Sequence, residues 1–210
     1  FAAHSDPRHN VVGVGLGRLF ITRQATSDHS NRSSGLTYED AVALRRQFPH
    51  ARAVSPISST QVSAFYKEFR ARGEVAGITP DWAKLDWNYK VRGRFFNDAD
   101  LRDFAQVCVL IKKNHTKESE QNEIGTQDDP LAPLFRRHDP LRQTIRLGGT
   151  SFRVVGILEE LPKDDDMDVG DNNATVLLPL TSFQKRLSLE QKQLDMIDVE
   201  SRVPDLTTLE

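Results

Sequence analysis

The sequence has few of the residues on which disulfide frameworks and thiol chemistry depend. Its 210 residues include one cysteine, Cys108, so an internal disulfide is excluded. Cys108 lies within the apolar run 107–111, which predicts a small buried hydrophobic side chain rather than a reactive thiol. The cysteine count therefore leaves the cellular compartment open.

The sequence also lacks a long apolar run. The longest stretch covers residues 11–17 and is interrupted by Arg18, well short of the ~20 residues that cross a bilayer. There is no initiator methionine, since the chain begins at Phe1. We interpret the chain as a fragment of a longer protein, whose other segments could include membrane anchors.

Neither sign of charge is in excess. The chain has 28 Lys and Arg against 30 Asp and Glu, which gives a formal net charge of -2. This balance argues against nucleic acid as a partner. A hydrophobic fraction of 38% and a charged fraction of 28% are typical of globular proteins, and the length allows one domain or two small ones.

Motifs for nucleotide and acyl chemistry are missing. Residues 13–17 read G-x-G-x-G, but no strand precedes them and no βαβ unit follows, so a dinucleotide site is not expected. The sequence contains neither a G-x-x-x-x-G-K-[ST] phosphate loop nor a G-x-S-x-G nucleophile turn. It therefore predicts no catalytic and no cofactor-binding residue.

Metal sites are not expected either. The acidic stretch 164–171 resembles the start of a calcium loop, but Val169 replaces the required glycine and Thr175 replaces the bidentate glutamate. A solvated loop is the favoured interpretation. The histidines are scattered without metal-ligand spacing, at His4, His9, His29, His50, His115 and His138. For Trp82 and Trp87, packing is favoured over a ligand surface.

A β-hairpin is the most strongly indicated element. Residues 143–147 alternate polar and apolar, Gly148 and Gly149 can take positive φ in a tight turn, and residues 152–158 return as a second strand. From Val154 onward both faces of this strand are apolar, which predicts cover on both sides.

Helix starts are marked by capping residues. Thr37 and Asp40 predict a capping box, with Leu36 stapled onto Ala41 and Pro49 ending the helix. Asn97 with Asp100 predicts a second, short helix. Thr181 and Gln184 predict a third capping box, for a helix over residues 181–192.

Further strands are predicted from apolar pattern. A helix tail from Val11 turns into a strand over residues 18–24, and residues 51–66 are extended with a bend or sheet edge at Pro56. The remaining strand predictions are a pair over 65–76 turning at 71–73, and single strands at 107–112, 175–180 and 196–203. Loops are predicted at 116–133 and 163–173.

Several short segments follow one another in a recognisable order and spacing, at 36–40, 53–56, 77–82, 93–96, 107–110, 139–145, 152–158 and 176–179. This arrangement resembles the MacB-type periplasmic core domain of ABC transporter permeases, of the superfamily that includes FtsX-like and LolC/E-like proteins. The chain departs from that pattern at Ile111, at Arg142-Gln143 and in a long insertion at 116–133.

This resemblance implies an α+β fold of two lobes. A porter-like α/β lobe would use residues 1–66 and regain a strand within 193–210. An inserted, strand-rich lobe, called Sabre in the family, would comprise residues 67–192.

The resemblance further implies a non-catalytic domain on the periplasmic face of the bacterial cytoplasmic membrane, anchored there in the full-length protein. It would couple ATP-driven helix movement to export or release of a substrate, with the ATPase on a separate domain or subunit. Implied partners are that ATPase, a periplasmic adaptor or lipoprotein chaperone, and a second permease in a homodimer or heterodimer. A soluble periplasmic ligand- or peptide-binding module is the alternative, and a hydrolase is the third.

Overall fold

Strands dominate the fold. In a computed structural model of the chain, the structure describes residues 9–13, 18–23, 35–85, 89–112, 139–161, 174–187 and 193–201. These residues form a large mixed sheet with a few short helices, which confirms the predicted α+β class.

The helices are α1 (Tyr38–Gln47), α2 (Asp98–Arg102), α3 (Leu180–Arg186) and a 3₁₀ helix (Pro80–Lys84). The strands, in chain order, are β1 (His9–Gly13), β2 (Arg18–Arg23), β3 (Leu36–Thr37), β4 (Ala51–Tyr66), β5 (Phe69–Ile78), β6 (Tyr89–Gly93), β7 (Val107–Lys112), β8 (Thr144–Leu147), β9 (Thr150–Glu160), β10 (Ala174–Pro179), β11 (Gln193–Leu194) and β12 (Met196–Ser201). None of the helices in the described ranges is long and apolar enough to span a bilayer.

Ten of these strands form one sheet in the order β1-β2-β12-β4-β5-β10-β7-β9-β6, and β8 pairs with both β4 and β9. β5 and β10 are parallel, as are β7 and β9, and the other pairs are antiparallel. β3 and β11 form a separate two-stranded sheet.

The 16-residue strand β4 connects the two halves of the large sheet. Its first part pairs with β12, from Ala51 to Ile57, and its second part pairs with β5, from Ser58 to Tyr66. Pro56 lies in the first part, opposite Ile197 of β12, on a stretch that β5 does not reach. A proline is tolerated there because the side of β4 that faces away from β12 has no partner strand among the described residues and needs no N–H donor. This agrees with the sheet edge predicted at Pro56.

The predicted hairpin is confirmed. β8 pairs antiparallel with β9 around a turn at Gly148 and Gly149, whose φ values are 54° and 94°. Such angles are those that a two-residue hairpin turn requires of its central residues. Val154, Ile157 and Leu158 are all 0% exposed, as expected for a strand covered on both faces.

Two capping boxes are confirmed. Thr37 accepts a hydrogen bond from the backbone N–H of Asp40, and the Asp40 carboxylate accepts one from the backbone N–H of Thr37. Asn97 and Asp100 make the same reciprocal pair at the start of α2. α1 ends at Gln47, two residues before the predicted stop.

The helix tail predicted from Val11 is wrong, and so is the expectation that no strand precedes residues 13–17, because residues 9–13 form strand β1. β1 pairs with β2, placing Val11 opposite Ile21. The short apolar run from Val11 fits both the helical period of about 3.6 residues and the strand period of about 2. Its pairing with β2 makes it a strand.

The turn predicted at residues 71–73 is also wrong. β4 and β5 form a hairpin that turns at Lys67 and Glu68, where Lys67 has a φ of 49°. Gly73 lies inside β5, opposite Val62. Gly73 is the glycine of the predicted turn, but the pairing of β5 with β4 continues past it to Gly77.

The third capping box does not form, and the predicted helix over 181–192 is shorter. α3 begins after Pro179 without a side-chain cap, and it ends at Arg186. The hydroxyl of Thr181 instead donates to the carbonyl of Leu101 at 2.7 Å. A tertiary hydrogen bond thus replaces the local one.

The buried strand predicted at 107–112 is confirmed as β7, and the strand predicted at 175–180 is confirmed as β10, which covers Ala174–Pro179. The final strand runs to Ser201, and residues 202–203 lie outside the described ranges. The loops predicted at 116–133 and 163–173 also lie outside them.

The buried apolar residues form three clusters. Two pack on the β5-β10-β7-β9 part of the sheet and centre on Phe152 and Leu177. The third packs around α1 and β12, and it contains Leu101 and Leu180 as well as Ile197. It therefore joins residues from both sides of the predicted lobe boundary. The division at residues 66 and 192 itself stays a prediction.

Candidate functional site

A cleft of about 500 Å³ opens where α1, the first part of β4, the 3₁₀ helix and α2 meet. Its walls combine charged, polar and apolar side chains. The lining residues are Tyr38, Ala41, Val42, Arg45, Arg46, Val54, Pro56, Thr79, Pro80, Asp81, Asp98, Leu101 and Arg102.

The first wall of the cleft is α1. The Thr37–Asp40 capping box fixes the residue at which this helix begins. Ala41 is 4% exposed and packs in the third cluster, so the helix presents its next turn, with Arg45, toward the 3₁₀ helix. Arginine in the last turn also interacts favourably with the negative end of the helix dipole.

An ion pair crosses the cleft. Arg45 Nη2 lies 3.3 Å from Asp81 Oδ2, and Arg45 Nη1 donates to the carbonyl of Ala51 at 3.2 Å. Lys84 Nζ contacts the other Asp81 oxygen at 2.6 Å. Because these side chains are partly exposed, the pair adds little stability. It does connect α1 to the 3₁₀ helix across the predicted lobe boundary.

The opposite wall is α2, which Arg94 and Asp100 fix. Arg94 donates two hydrogen bonds to the Asp100 carboxylate, at 2.6 and 3.0 Å. Burial alone would raise the pKa of Asp100. The hydrogen bonds from Arg94 and from the Asn97 backbone, with the charge of Arg94, hold that pKa below its ordinary value. Asp100 therefore stays ionised at neutral pH.

Side chains of α3 are hydrogen-bonded to the end of α2 and to the residues that follow it. Thr181 Oγ1 donates to the Leu101 carbonyl, and Ser182 Oγ donates to the Ala105 carbonyl at 2.8 Å. The first bond pairs a carbonyl in the last turn of α2, and the second holds the segment that follows the helix.

Thr79 is the buried polar residue of the cleft. Its side chain is 8% exposed, and its hydroxyl makes no hydrogen bond to any residue that the structure describes. A buried hydroxyl is favourable only when it is paired, so Thr79 leaves an unsatisfied polar group in the wall of the cleft.

The cleft offers charge and shape for binding. Its lining, among the residues that the structure describes, includes no serine, cysteine or histidine. Within the described ranges there is also no group of three His, Cys, Asp or Glu side chains that could hold a metal ion. The sequence-based expectation that the chain carries no catalytic, cofactor or metal residue stays a prediction.

Cys108 is buried, as predicted. It is 0% exposed within β7, and burial raises the pKa of its thiol. Trp82 packs against Tyr89 and Phe95, with ring centroids 5.9 and 6.1 Å away, so the packing interpretation is confirmed for it. Trp87 lies outside the described residues.

Of the other candidates from the sequence, two histidines lie within the described ranges. His9 is in β1, and His50 is exposed in the turn after α1. The stretch 14–17, the acidic stretch 164–171 and the four remaining histidines, His4, His29, His115 and His138, lie outside the described residues.

Sequence reasoning missed the cleft residues. Arg45 and Asp81 are 36 positions apart, and no local pattern pairs them. The Pro80-Asp81 turn was visible in the sequence, but its position against α1 depends on β4 and β5 folding back on each other.

Comparisons with known proteins agree on one family. The family model of the MacB-like periplasmic core domain matches residues 8–208. A macrolide export ATP-binding/permease protein MacB of Bordetella avium is 28% identical over 200 residues, which cover 94% of this chain and 26% of that protein. MacB 1/2 of Paracoccus denitrificans is 26% identical over 179 residues, covering 84% of this chain and 24% of that protein. The chain thus spans about a quarter of the length of these relatives.

Solved structures show the same fold. The periplasmic region of MacB from Actinobacillus actinomycetemcomitans superposes with a TM-score of 0.65 at 17% identity, over 90% of this chain and 76% of that one. The extracellular domain of the ABC-type transporter YknZ from Gram-positive bacteria gives a TM-score of 0.61 at 16% identity, over 87% and 82%.

Proposed function

The chain belongs to the MacB-like periplasmic core domain family, and from this membership we propose that it is the extracytoplasmic domain of an ABC transporter permease. It lies on the periplasmic face of the cytoplasmic membrane, and the full-length protein is anchored there. The family match over residues 8–208 is the observation that carries this proposal.

In this proposal the domain is a non-catalytic coupling element. ATP is hydrolysed on a separate domain or subunit, and the movement of membrane helices reaches the periplasmic side through this chain. Such coupling needs parts that move as units between two arrangements. Two lobes with the predicted boundaries, at residues 66 and 192, would be those parts.

Three features of the described residues support a mechanical role. β4 is continuous from Ala51 to Tyr66 and pairs with strands on both sides of the boundary. The third apolar cluster includes Leu101 and Leu180 together with residues of α1 and β12. The Arg45–Asp81 ion pair spans the cleft between α1 and the 3₁₀ helix. A continuous strand transmits displacement, while a partly exposed ion pair breaks and reforms at low cost.

Sidedness is tested with a single introduced cysteine. Cys108 is buried, so it gives little background labelling. In the full-length protein, with any other exposed cysteine replaced, His50→Cys is expected to react with a membrane-impermeant maleimide in intact, outer-membrane-permeabilised cells. Protection until the inner membrane is lysed would place the domain in the cytoplasm and contradict the proposal.

Coupling is tested by bridging the cleft. Arg45→Cys and Asp81→Cys together, linked by a short bis-maleimide in the full-length transporter, are expected to stop export while ATP hydrolysis continues. The unlinked double variant is the control, because it lacks the ion pair but remains free to move. Undiminished export by the linked protein would exclude movement across the cleft from the mechanism.

The proposed partners follow from the same role. They are the ATPase, a periplasmic adaptor or lipoprotein chaperone, and a second permease in a homodimer or heterodimer. Pull-down of the full-length protein from bacterial membranes, followed by mass spectrometry, tests for them. Recovery of the permease without any ATP-binding protein would contradict the transporter assignment.

A second candidate, binding of a small ligand or peptide, is favoured by the cleft itself. Thr79 and three arginines, Arg45, Arg46 and Arg102, line a space of about 500 Å³. A thermal-shift screen of short peptides tests this candidate, with Thr79→Val as the matched variant. A ligand that stabilises the wild type and the variant equally does not occupy this site.

A further inference from the structure

One face of the sheet carries a group of exposed arginines at the end of the β4–β5 hairpin. Arg70 and Arg72 are on β5, Arg146 is on β8 and Arg153 is on β9. All four are exposed. We call these residues, together with Phe65 of β4, the arginine face.

The strand register places these side chains together. Phe65 is directly opposite Arg70 on one side and Arg146 on the other. Arg153 is opposite Thr144, which is two positions from Arg146 and so on the same face. With strands spaced about 4.8 Å apart, the four-strand row β5-β4-β8-β9 is roughly 15 Å wide.

Phe65 organises the centre of the face. The guanidinium carbons of Arg70 and Arg146 lie 5.3 and 4.9 Å from the centroid of its ring. An arginine stacked on an aromatic ring is held in one orientation, yet the N–H groups along its edge stay free to donate. Phe65 thus orients the guanidinium groups of Arg70 and Arg146, each of which can donate a pair of hydrogen bonds.

The other face of these strands is buried. The side chains that alternate with the arginine face are in the first apolar cluster, among them Tyr66, Ile145 and Phe152, which are between 0% and 8% exposed. The arginines consequently cannot turn inward, and the sheet presents them to solvent in a fixed pattern.

None of the four arginines forms an ion pair within the part of the chain that the structure describes. Arginines elsewhere form ion pairs, such as Arg18 with Asp198 and Arg94 with Asp100, but none of these four does. Glu74, the next residue of β5 on this face, makes no ion pair with them. Four unpaired guanidinium groups in a chain with a net charge of -2 form a local positive field.

The composition of the face favours a protein partner over lipid or nucleic acid. Arginine and aromatic residues are enriched in protein interfaces, where lysine is depleted, and the cations here are arginines around a phenylalanine. Guanidinium forks match the two oxygens of a carboxylate. The chain as a whole has no basic excess that would attract a nucleic acid.

We propose that the arginine face is a docking surface for an acidic protein partner, whose Asp and Glu carboxylates pair with Arg70, Arg72, Arg146 and Arg153. This surface is distinct from the cleft. The inference needs only the 210-residue chain and does not depend on membrane attachment.

The test uses a defined probe, a fluorescein-labelled twelve-residue peptide of alternating Glu and Leu, with a Lys-Leu peptide as the opposite-charge control. Binding to the 210-residue chain is followed by fluorescence anisotropy. The main variant is Arg70→Gln with Arg146→Gln, and the matched control is Lys90→Gln with Lys112→Gln, which removes two exposed charges elsewhere.

The acidic peptide is expected to bind the wild type and the lysine control within twofold of each other, and the arginine variant about tenfold or more weakly. Binding is also expected to weaken as the ionic strength rises from about 0.01 M to about 0.15 M, since the Debye length falls from about 30 to about 8 Å. Phe65→Leu, which keeps the charges but removes the stacking, is expected to lose part of the affinity. Circular dichroism and Tm confirm that each variant is folded.

Equal binding by wild type and arginine variant overturns the proposal. So does equal loss in both double variants, because net charge alone would then explain it. A second binding measurement uses vesicles of phosphatidylglycerol and phosphatidylcholine in place of the peptide. Tighter binding to them than to the peptide, lost on Arg70→Gln with Arg146→Gln, would assign the face to anionic lipid instead.

Discussion

Arg18 of β2 donates two hydrogen bonds to the carboxylate of Asp198 on β12, at 3.1 and 2.7 Å. The Asp198 side chain is 2% exposed, while that of Arg18 is 21% exposed. Burial raises the pKa of Asp198 above its ordinary value, and the hydrogen bonds and charge of Arg18 offset only part of that effect.

Removing the charge of Asp198 is expected to leave stability at pH 7 unchanged or higher. A carboxyl with a raised folded-state pKa binds its proton more tightly in the folded chain, so folding loses stability as the pH rises through that pKa. Asp198→Asn mimics the protonated form, and its advantage is expected to vanish as the pH falls below about 4. Urea unfolding between these pH values measures the difference, and a variant clearly less stable than wild type at pH 7 would refute it.

Removing the arginine is expected to have the opposite effect. Arg18→Met leaves the buried Asp198 carboxylate without its partner, at a cost of about 3 kcal/mol. The comparison variant is Arg52→Met, which removes the pair of the more exposed Arg52 with Glu200 and is expected to cost about 1 kcal/mol or less. Similar losses in the two variants would show that burial of Asp198 does not set the cost.

Alanine substitutions at Asp40 and Gln184, the two residues predicted to close capping boxes, are expected to differ in their effect on the free energy of unfolding. Asp40→Ala removes the carboxylate that holds the Thr37 N–H at 2.7 Å, and we expect a loss of about 1 kcal/mol in the free energy of unfolding. Gln184→Ala is the matched control, because α3 has no side-chain cap, and a change within about 0.5 kcal/mol is expected. A larger loss at Gln184 would mean that the third box forms after all.

Gly156 is expected to tolerate no side chain. A Cβ at this position of β9 would overlap the carbonyl oxygen of Arg94, which is backbone and cannot move away alone. Gly156→Ala is therefore expected to lower the free energy of unfolding by about 2 to 3 kcal/mol. Gly149→Ala meets nothing within 4 Å, so only its φ of 94° opposes it, at about 1 kcal/mol. Guanidinium unfolding of both variants tests the order, which would be reversed if turn strain dominated.

Cys108 is expected to be inert in the folded chain. Its side chain is 0% exposed and burial raises the pKa of its thiol, so neither access nor thiolate is available. We expect no reaction with dithionitrobenzoate at pH 8 until denaturant unfolds the chain, whereas His50→Cys is expected to react at once. Rapid labelling of native Cys108 would show that β7 opens.

Local signals were enough for the elements that form over a few residues. The Thr37–Asp40 and Asn97–Asp100 boxes and the Gly148-Gly149 turn each depend on neighbours within four positions, and each was predicted correctly. The apolar run of β7 also identified a buried strand, because an unbroken run has no face to expose.

Errors arose where distant residues compete with a local pattern. Thr181 matched a capping box, but its hydroxyl bonds Leu101, 80 positions earlier. Gly73 suggested a turn, but the turn lies at Lys67 and Glu68, because the partner register of β4 extends β5 through that glycine. β1 depends on β2 in the same way.

The order and spacing of short segments were therefore sufficient for the family resemblance, and that resemblance implied the α+β class. The cleft and the arginine face were not visible in the sequence. Arg45 meets Asp81, and Phe65 meets Arg146, only because paired strands bring together residues that are 36 and 81 positions apart. Those contacts follow from strand order and register in the folded sheet, which are set by long-range burial rather than by any neighbour along the chain.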